Sequence, residues 1–291
     1  MRTFRAVVDR GSFTAAARSL GYTQSAVSQQ VAALEASLGV VLFQRRPFAV
    51  TAAGRRLAEH ASNILLRVDV ATSEAKAIDR GMITTLAATP VAAATVEVAR
   101  LLALAQRADG ARSAVLLTGM TDEVVAAVAD GRCMAGVVDG IVGRSDPLGL
   151  ADPGLLSALL LGVGAMAVVL PADHPFADVR SIAWRSVADA HWIDAPQLMP
   201  HLGPGAAQLL ERRRSRVRYE GTDPSVLGSL VAAGHGLALM PLASAGLSPT
   251  TSASIRVVPL TEPALVHRVE VVVLRKHAEV WEHLVSAVRP A

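Results

Sequence analysis

The chain predicts three parts in order: a small helical head closed by a β-hairpin wing, one long helix, and an α/β body of two lobes. Three observations lead there. Residues 12–38 hold two short amphipathic helices broken by one glycine-containing turn. Residues 57–78 carry apolar side chains at alternating spacings of four and three. Beyond residue 82, short apolar runs alternate with helical patterns, the arrangement of strands and helices in an α/β sheet.

In the head, Ser12 is placed to cap a first helix whose Ala16 and Leu20 face inward, and Gly21-Tyr22 makes the turn. Thr23 is a fitting N-cap for a second helix in which Val27, Val31, Leu34 and Leu38 form one stripe at helical period. At 100° per residue the opposite face carries Ser25, Ser28, Gln29 and Ala32, with Gln24 at its N-terminal rim. Nothing long or charged sits there. Small hydroxyls, an amide and a methyl group let a helix backbone approach a major groove, and Gln pairs bidentately with adenine. An ordinary helical hairpin with a solvated face fits the same segment.

Residues 39–51 alternate apolar and polar side chains around a Pro-containing turn, as a short hairpin does. Arg45 and Arg46 then lie near the wing's tip, where a guanidinium meets phosphate or enters the minor groove, unless the pair is simply solvated. From Thr51 one helix is expected to run to Gly81, with Leu57, Ala61, Ile64, Val68, Ala71, Ala75 and Ile78 as a heptad seam. A seam that narrow, flanked by charged residues, asks for a second copy of the chain, which puts two reading heads on one duplex. Packing of the helix on its own domain is the alternative.

Charge divides the chain at the same place. Residues 1–80 hold 11 Lys+Arg against 6 Asp+Glu, whereas 81–291 hold 17 against 19, so the formal +3 of the whole conceals a basic head on a slightly acidic body. Polyanion contact is therefore expected at the head alone. Aromatic residues make up only 3% of the chain, which leaves no ladder of rings for unpaired bases and disfavours single-strand or RNA binding.

The body of about 210 residues is large enough for two small α/β lobes. A strand, polar turn, helix, Gly and strand recur at 115–138 and again at 217–240, and an earlier unit runs from 84–87 through Thr89-Pro90 into a helix at 91–105. In such sheets the strand C-termini and the following helix N-termini border a ligand crevice.

The runs GSFTAAARSL, TQSAVSQQVAALEASLGVVLFQRR and VTAAG resemble the winged head of the LysR-type bacterial transcriptional regulators, closely over residues 4–57 and in layout beyond. The resemblance implies a winged helix-turn-helix over 1–56, a dimerisation helix over 51–80, and an effector-binding domain over 82–291. That last domain is of the type II periplasmic-binding-protein kind, with residues 82–160 and 266–291 in one lobe and 161–265 in the other. It implies effector contacts at Thr89, Thr118, Thr121, Thr222 and Asp223, although N-capping alone accounts for each equally well. Asp139, Asp194 and Asp223 are candidates to border the cleft, which opens the way to an amine-bearing ligand beside the usual carboxylates. The chain starts at Met1-Arg2-Thr3, where members of the family carry several more apolar residues ahead of Phe4. A short first helix with weaker packing, and a true start upstream of Met1, are therefore expected.

Other chemistries find little support. Cys133 is the only cysteine, so no intramolecular disulfide or Cys-rich metal site can form, and a redox role for its thiolate beside Arg132 competes with a plain packing role. His174, His191, His201 and His235 are scattered among turns without metal-ligand spacing, and no G-x-S-x-G elbow marks a nucleophile, so neither a metal, a cofactor nor catalysis is expected. The uncharged run 153–172 is interrupted by Gly162, Gly164 and Pro171 and reads as two buried strands rather than a membrane span. No apolar leader precedes the head, which fits a cytoplasmic protein. The expected function is regulation of RNA polymerase access by a homodimer or homotetramer that binds an interrupted palindrome in double-stranded DNA and responds to a small-molecule effector. A solute receptor or enzyme with a tethering head, and a ligand-independent architectural protein, are the rivals.

Overall fold

The computed structural model describes residues 1–45, 48–61, 64–65, 68, 83–150, 154–199, 201–211, 213–245, 253–262 and 264–289. It divides into two compact units, Met1–Ala75 and Lys76–Ala291.

The first unit begins with α1 (Arg2–Arg10), α2 (Phe13–Leu20) and α3 (Gln24–Leu38). Local chemistry sets their ends. The Ser12 hydroxyl accepts the Ala15 N–H at 3.4 Å and the Thr23 hydroxyl accepts the Ala26 N–H at 3.2 Å. Gly21 and Gly39 stop α2 and α3 in the left-handed region, φ 70° and 67°, which favours glycine. Phe4, Val7, Ala16, Val27 and Val31 close the core, and each large apolar side chain buried there contributes roughly 1.5–3 kcal/mol. Although α1 has only nine residues, Phe4 still packs against Phe43 with ring centroids 5.4 Å apart.

The wing is an antiparallel pair, β1 (Phe43–Arg45) and β2 (Phe48–Val50). It is tied to α3 by the Glu35 carboxylate, which accepts the N–H groups of Leu42 and Phe43 at 2.6 and 3.2 Å. The Thr51 hydroxyl receives the Gly54 N–H at 3.0 Å and opens α4, helical over 52–61 and at 64–65 and 68. A Cβ on Gly54 would stand 2.3 Å from the Leu42 carbonyl oxygen, so only glycine lets α4 pass this close to the wing.

Two apolar expectations change. Leu38 was placed in the inward stripe of α3 but is exposed, together with Val40 and Val41, because α3 ends on the rim of the head. Leu57 and Ala61, the first seam positions, pack into the head's own core. Ile64 and Val68 are exposed, and Ala71, Ala75 and Ile78 lie outside the described residues.

The second unit is built on one curled sheet. β3 (Ile83–Ala88), β4 (Ser113–Thr118) and β5 (Ala135–Gly143) run parallel in the order β4-β3-β5, joined by helical connections, so that their C-termini come to one edge. Their connections are α5 (Pro90–Ala93), α6 (Val96–Asp109) and α7 (Thr121–Ala129). The helix expected over 91–105 is thus two helices, with the extended Thr95 between them and its hydroxyl turned back to the Ala92 carbonyl at 2.7 Å.

β6 (Leu156–Pro171) is one strand of 16 residues, not two strands around Gly162–Gly164. The glycines mark a change of partners instead. Residues 156–165 pair with β12 (Leu265–Leu274), whereas Met166–Val169 pair with β10 (Ala238–Pro241) and 167–171 with β11 (Ile255–Glu262). A bulge at Val269/Glu270, opposite Leu160 and Gly162, shifts the register of β6 on β12 a few residues before that change. Around the first half of β6 lies a core of Leu86, Leu101, Val137, Val271, Trp281 and Val285, closed by α10 (Ala278–Val288). Around the second half lies another, containing Met166, Val168, Trp192, Leu198, Leu227 and Met240.

That second core is walled by β7 (Ile182–Ala183), the parallel pair β8 (His191–Asp194) and β9 (Arg214–Arg218), α8 (Pro204–Glu211) and α9 (Pro224–Ala232). The body is therefore two α/β lobes crossed by β6 and β12. Among the described residues, no helix is long and apolar enough to span a membrane.

Candidate DNA-reading face and effector cleft

On the head, α3 presents Thr23, Gln24, Ser25, Gln29 and Ala32 to the outside, with Ser28 half-buried beside them. No charged side chain interrupts this face. Gln30, one position on, is used differently: its side-chain oxygen accepts the Thr3 hydroxyl and so ties α3 to α1. The two adjacent glutamines have separate tasks, one structural and one facing outward. Arg45 sits in β1 opposite Phe48, and Arg46 lies outside the described residues.

In the body, the ends of β3, β4 and β5 bring Thr89, Thr118 and Asp139 to one edge of the sheet, with Ala88 paired to Thr118 on one side and to Val137 on the other. Thr89 is fully buried, and its side chain does not cap α5. Its N–H donates to the Val137 carbonyl at 2.9 Å, and its hydroxyl donates to Oδ1 of Asp139. The second oxygen of Asp139 meets Nε2 of His267 at 2.6 Å, so with the carboxylate ionised the imidazole donates there. Asp139 is 0% exposed. This carboxylate is thus consumed by two protein donors at the point where β5 and β12 lie side by side. His267 is 128 positions away in sequence, and no local spacing signals the pairing.

The remaining threonines divide. Thr118 is exposed at the end of β4, while Thr121, the first residue of α7, is buried with its hydroxyl unpartnered. The Glu123 carboxylate caps α7 by accepting the Met120 N–H at 2.8 Å, which leaves the Thr121 hydroxyl free of that duty. On the other lobe Thr222 and Asp223 are exposed before α9. Asp223 is the N-cap: it accepts the N–H and hydroxyl of Ser225 at 2.8 and 2.7 Å, and these two bonds hold its carboxyl below the usual carboxylate range. No hydrogen bond or ion pair joins Thr222 or Asp223 to the Thr89 group among the described residues.

Asp194 closes β8 beside a cavity of about 300 Å³, lined by Ile141, Trp192, Met199, Leu202, Leu210 and Leu227 among others. Leu202 is bridged to Ile141, so the far end of β5 forms part of the wall. The Asp194 carboxylate pairs with Arg213 and, at 3.1 Å, with Arg218. Both carboxylates expected at the cleft are therefore engaged by the protein itself, Asp139 by the Thr89 hydroxyl and the His267 imidazole, and Asp194 by two arginines.

The family profile for bacterial regulatory helix-turn-helix proteins of the lysR family matches residues 1–55, and that for the LysR substrate binding domain matches residues 83–289. The chain belongs to the LysR family of regulators. Among curated relatives, the HTH-type transcriptional regulator IlvR of Caulobacter vibrioides is 32% identical, over 91% of this chain and 88% of that protein. A probable nitrogen assimilation transcriptional activator of Synechococcus elongatus is 29% identical over 92% and 85%. Among solved structures, a full-length OxyR variant from Pseudomonas aeruginosa covers 99% of this chain and 93% of its own at a TM-score of 0.55 and 18% identity. Full-length BenM covers 99% and 93% at 0.53 and 21%. The protein is thus a DNA-binding transcriptional regulator of the LysR family, with a winged head and an effector-binding body of two lobes.

A peroxide-sensing disulfide within this LysR-family chain is excluded by its single cysteine. Cys133 is buried, and burial pushes its thiol above the ordinary range against the smaller opposing pull of Arg132. In the native protein it is expected to react with a thiol reagent at pH 7 far more slowly than in urea, and peroxide is expected to leave DNA binding unchanged. Fast native labelling would show an exposed thiolate instead.

Proposed function

We propose that the head reads an interrupted palindrome beside a promoter, with Gln24, Ser25, Ser28, Gln29 and Ala32 in the major groove and Thr23 at the phosphate-facing helix start. Arg45 and Arg46 of the wing contact the backbone or minor groove. The observation that carries this reading is the outward, uncharged face of α3, on which Gln29 has no hydrogen-bond partner among the described residues while Gln30 is held by Thr3. Two copies join along the linker over 51–80, where Ile64 and Val68 are exposed. Ala71, Ala75 and Ile78 extend that seam, with Leu57 and Ala61 steadying its start against the head.

In the body, residues 82–160 with 266–291 form one lobe and 161–265 the other. A small-molecule effector enters between them, near Thr89, Thr118, Thr121, Asp139, Thr222 and Asp223. Thr121 offers the unpartnered hydroxyl, whereas Thr89 and Asp139 act through the buried pairing that fixes the base of the cleft. Effector closure biases one of two lobe arrangements and so changes half-site spacing or DNA bend, which alters RNA polymerase access in the cytoplasm.

A DNase footprint of the full chain on the promoter region beside its own gene tests this reading, with and without a pool of small metabolites. A protected dyad whose pattern shifts with metabolites is expected. Sequence-independent protection, indifferent to every metabolite, would instead identify an architectural protein.

A further inference from the structure

We propose that the cavity beside Asp194 takes a small apolar α-amino acid in its zwitterionic form, an inference that rests on the reading of the body as effector-binding. Its volume of about 300 Å³ lies at the small end of ligand pockets, which run from about 300 to 1,000 Å³. Apart from Asp194 and Arg213, every described side chain that lines it is uncharged, and almost all are aliphatic or aromatic. The apolar walls call for a hydrocarbon side chain. The two charges are of opposite sign, bonded to one another, and largely sheltered, with side-chain exposures of 19% and 17%.

That pairing decides the ligand's charge. A simple carboxylate would satisfy Arg213 but face Asp194, and a simple amine would satisfy Asp194 but face Arg213. A zwitterion meets both. The pair has capacity for it, because Arg213 carries five N–H donors of which one Nη2 group is engaged with Asp194. Asp194 has lone pairs left after accepting from Arg213 and Arg218. The ligand carboxylate therefore joins the Arg213 fork, the ammonium donates to Asp194, and the side chain lies among Trp192, Leu210 and Leu227.

Calorimetric titration of the full chain with L-leucine tests the inference, alongside 4-methyl-2-oxopentanoate, which lacks the ammonium, and 3-methylbutylamine, which lacks the carboxylate. L-leucine is expected to bind about tenfold or more tightly than either, since the oxo acid sets a carboxylate beside Asp194 with no ammonium between them, and the amine sets an ammonium beside Arg213 with no carboxylate between them. Asp194→Asn is expected to remove that preference. Leu202→Trp, placed at a partly exposed wall, fills the cavity and is expected to abolish binding with the helix content of the chain unchanged. Equal or tighter binding of the oxo acid or the amine overturns the zwitterion, and leucine binding untouched by Leu202→Trp overturns the location. Loss of all three ligands with a footprint that still shifts under the metabolite pool overturns this ligand class and leaves the effector reading standing. A footprint indifferent to everything overturns both.

Discussion

Asp139→Ala is expected to destabilise the body by about 2–6 kcal/mol, the cost of leaving two buried donors without an acceptor at about 1–3 kcal/mol each. The substitution deletes the acceptor of two donors at once, the Thr89 hydroxyl and the His267 imidazole. Neither donor can turn to water, because Thr89 and Asp139 are 0% exposed and His267 only 5%. The three side chains come from the end of β3, from β5 and from β12, so the loss is felt across the strands that lead into the second lobe. Asp139→Asn keeps an acceptor for one donor and is expected to cost less. Tryptophan fluorescence in urea isolates the effect, since Trp184, Trp192 and Trp281 all lie in the body and all are buried. A loss below about 1 kcal/mol would place the pair with solvated ion pairs and remove it from the cleft's foundation.

This pairing also shows where sequence reasoning reaches and where it stops. Ser12, Gly21, Thr23 and the Val27–Val31 stripe are readable because a cap or helical stripe is complete within about one helical turn of chain. Likewise the strand, turn and helix units at 115–138 and 217–240 announce themselves by local alternation. Thr89 was readable as a residue at a helix start, but its hydroxyl goes to Asp139 rather than to the helix, and the choice depends on a strand register that no local pattern encodes. Asp194 was legible as a polar residue after an apolar run. The arginines that neutralise it arrive from β9 and the turn before it, through parallel pairing with β8.

The misread elements have a similar cause. Apolar run length and glycine content suggested that β6 breaks at Gly162–Gly164, yet a strand continues wherever a neighbour supplies hydrogen bonds, and β10 and β11 take over where β12 leaves. The heptad spacing through Leu57 and Ala61 is real, but periodicity states only that one face is apolar. The head's own core claims that face first.

The contrast between two adjacent glutamines supplies the decisive test of the reading head. Gln29→Ala is expected to lose about 1–3 kcal/mol of discrimination between the true site and a site altered at one base pair, the usual value of one bidentate base contact. Binding to unrelated DNA, which depends on phosphate contacts, should survive with its salt dependence intact. Ser28→Ala should act in the same direction with less effect, since Ser28 is half-buried. Gln30→Ala should do the opposite: it releases Thr3 and loosens α1, lowering the head's stability while specificity among folded molecules stays unchanged. Arg45→Ala gives the third pattern, weaker binding to every sequence and a salt slope smaller by about one. Competition binding at two or three salt concentrations separates the three patterns. If Gln29→Ala and Arg45→Ala weaken all sequences alike, α3 contacts the backbone only, and the sequence must be read elsewhere on the head.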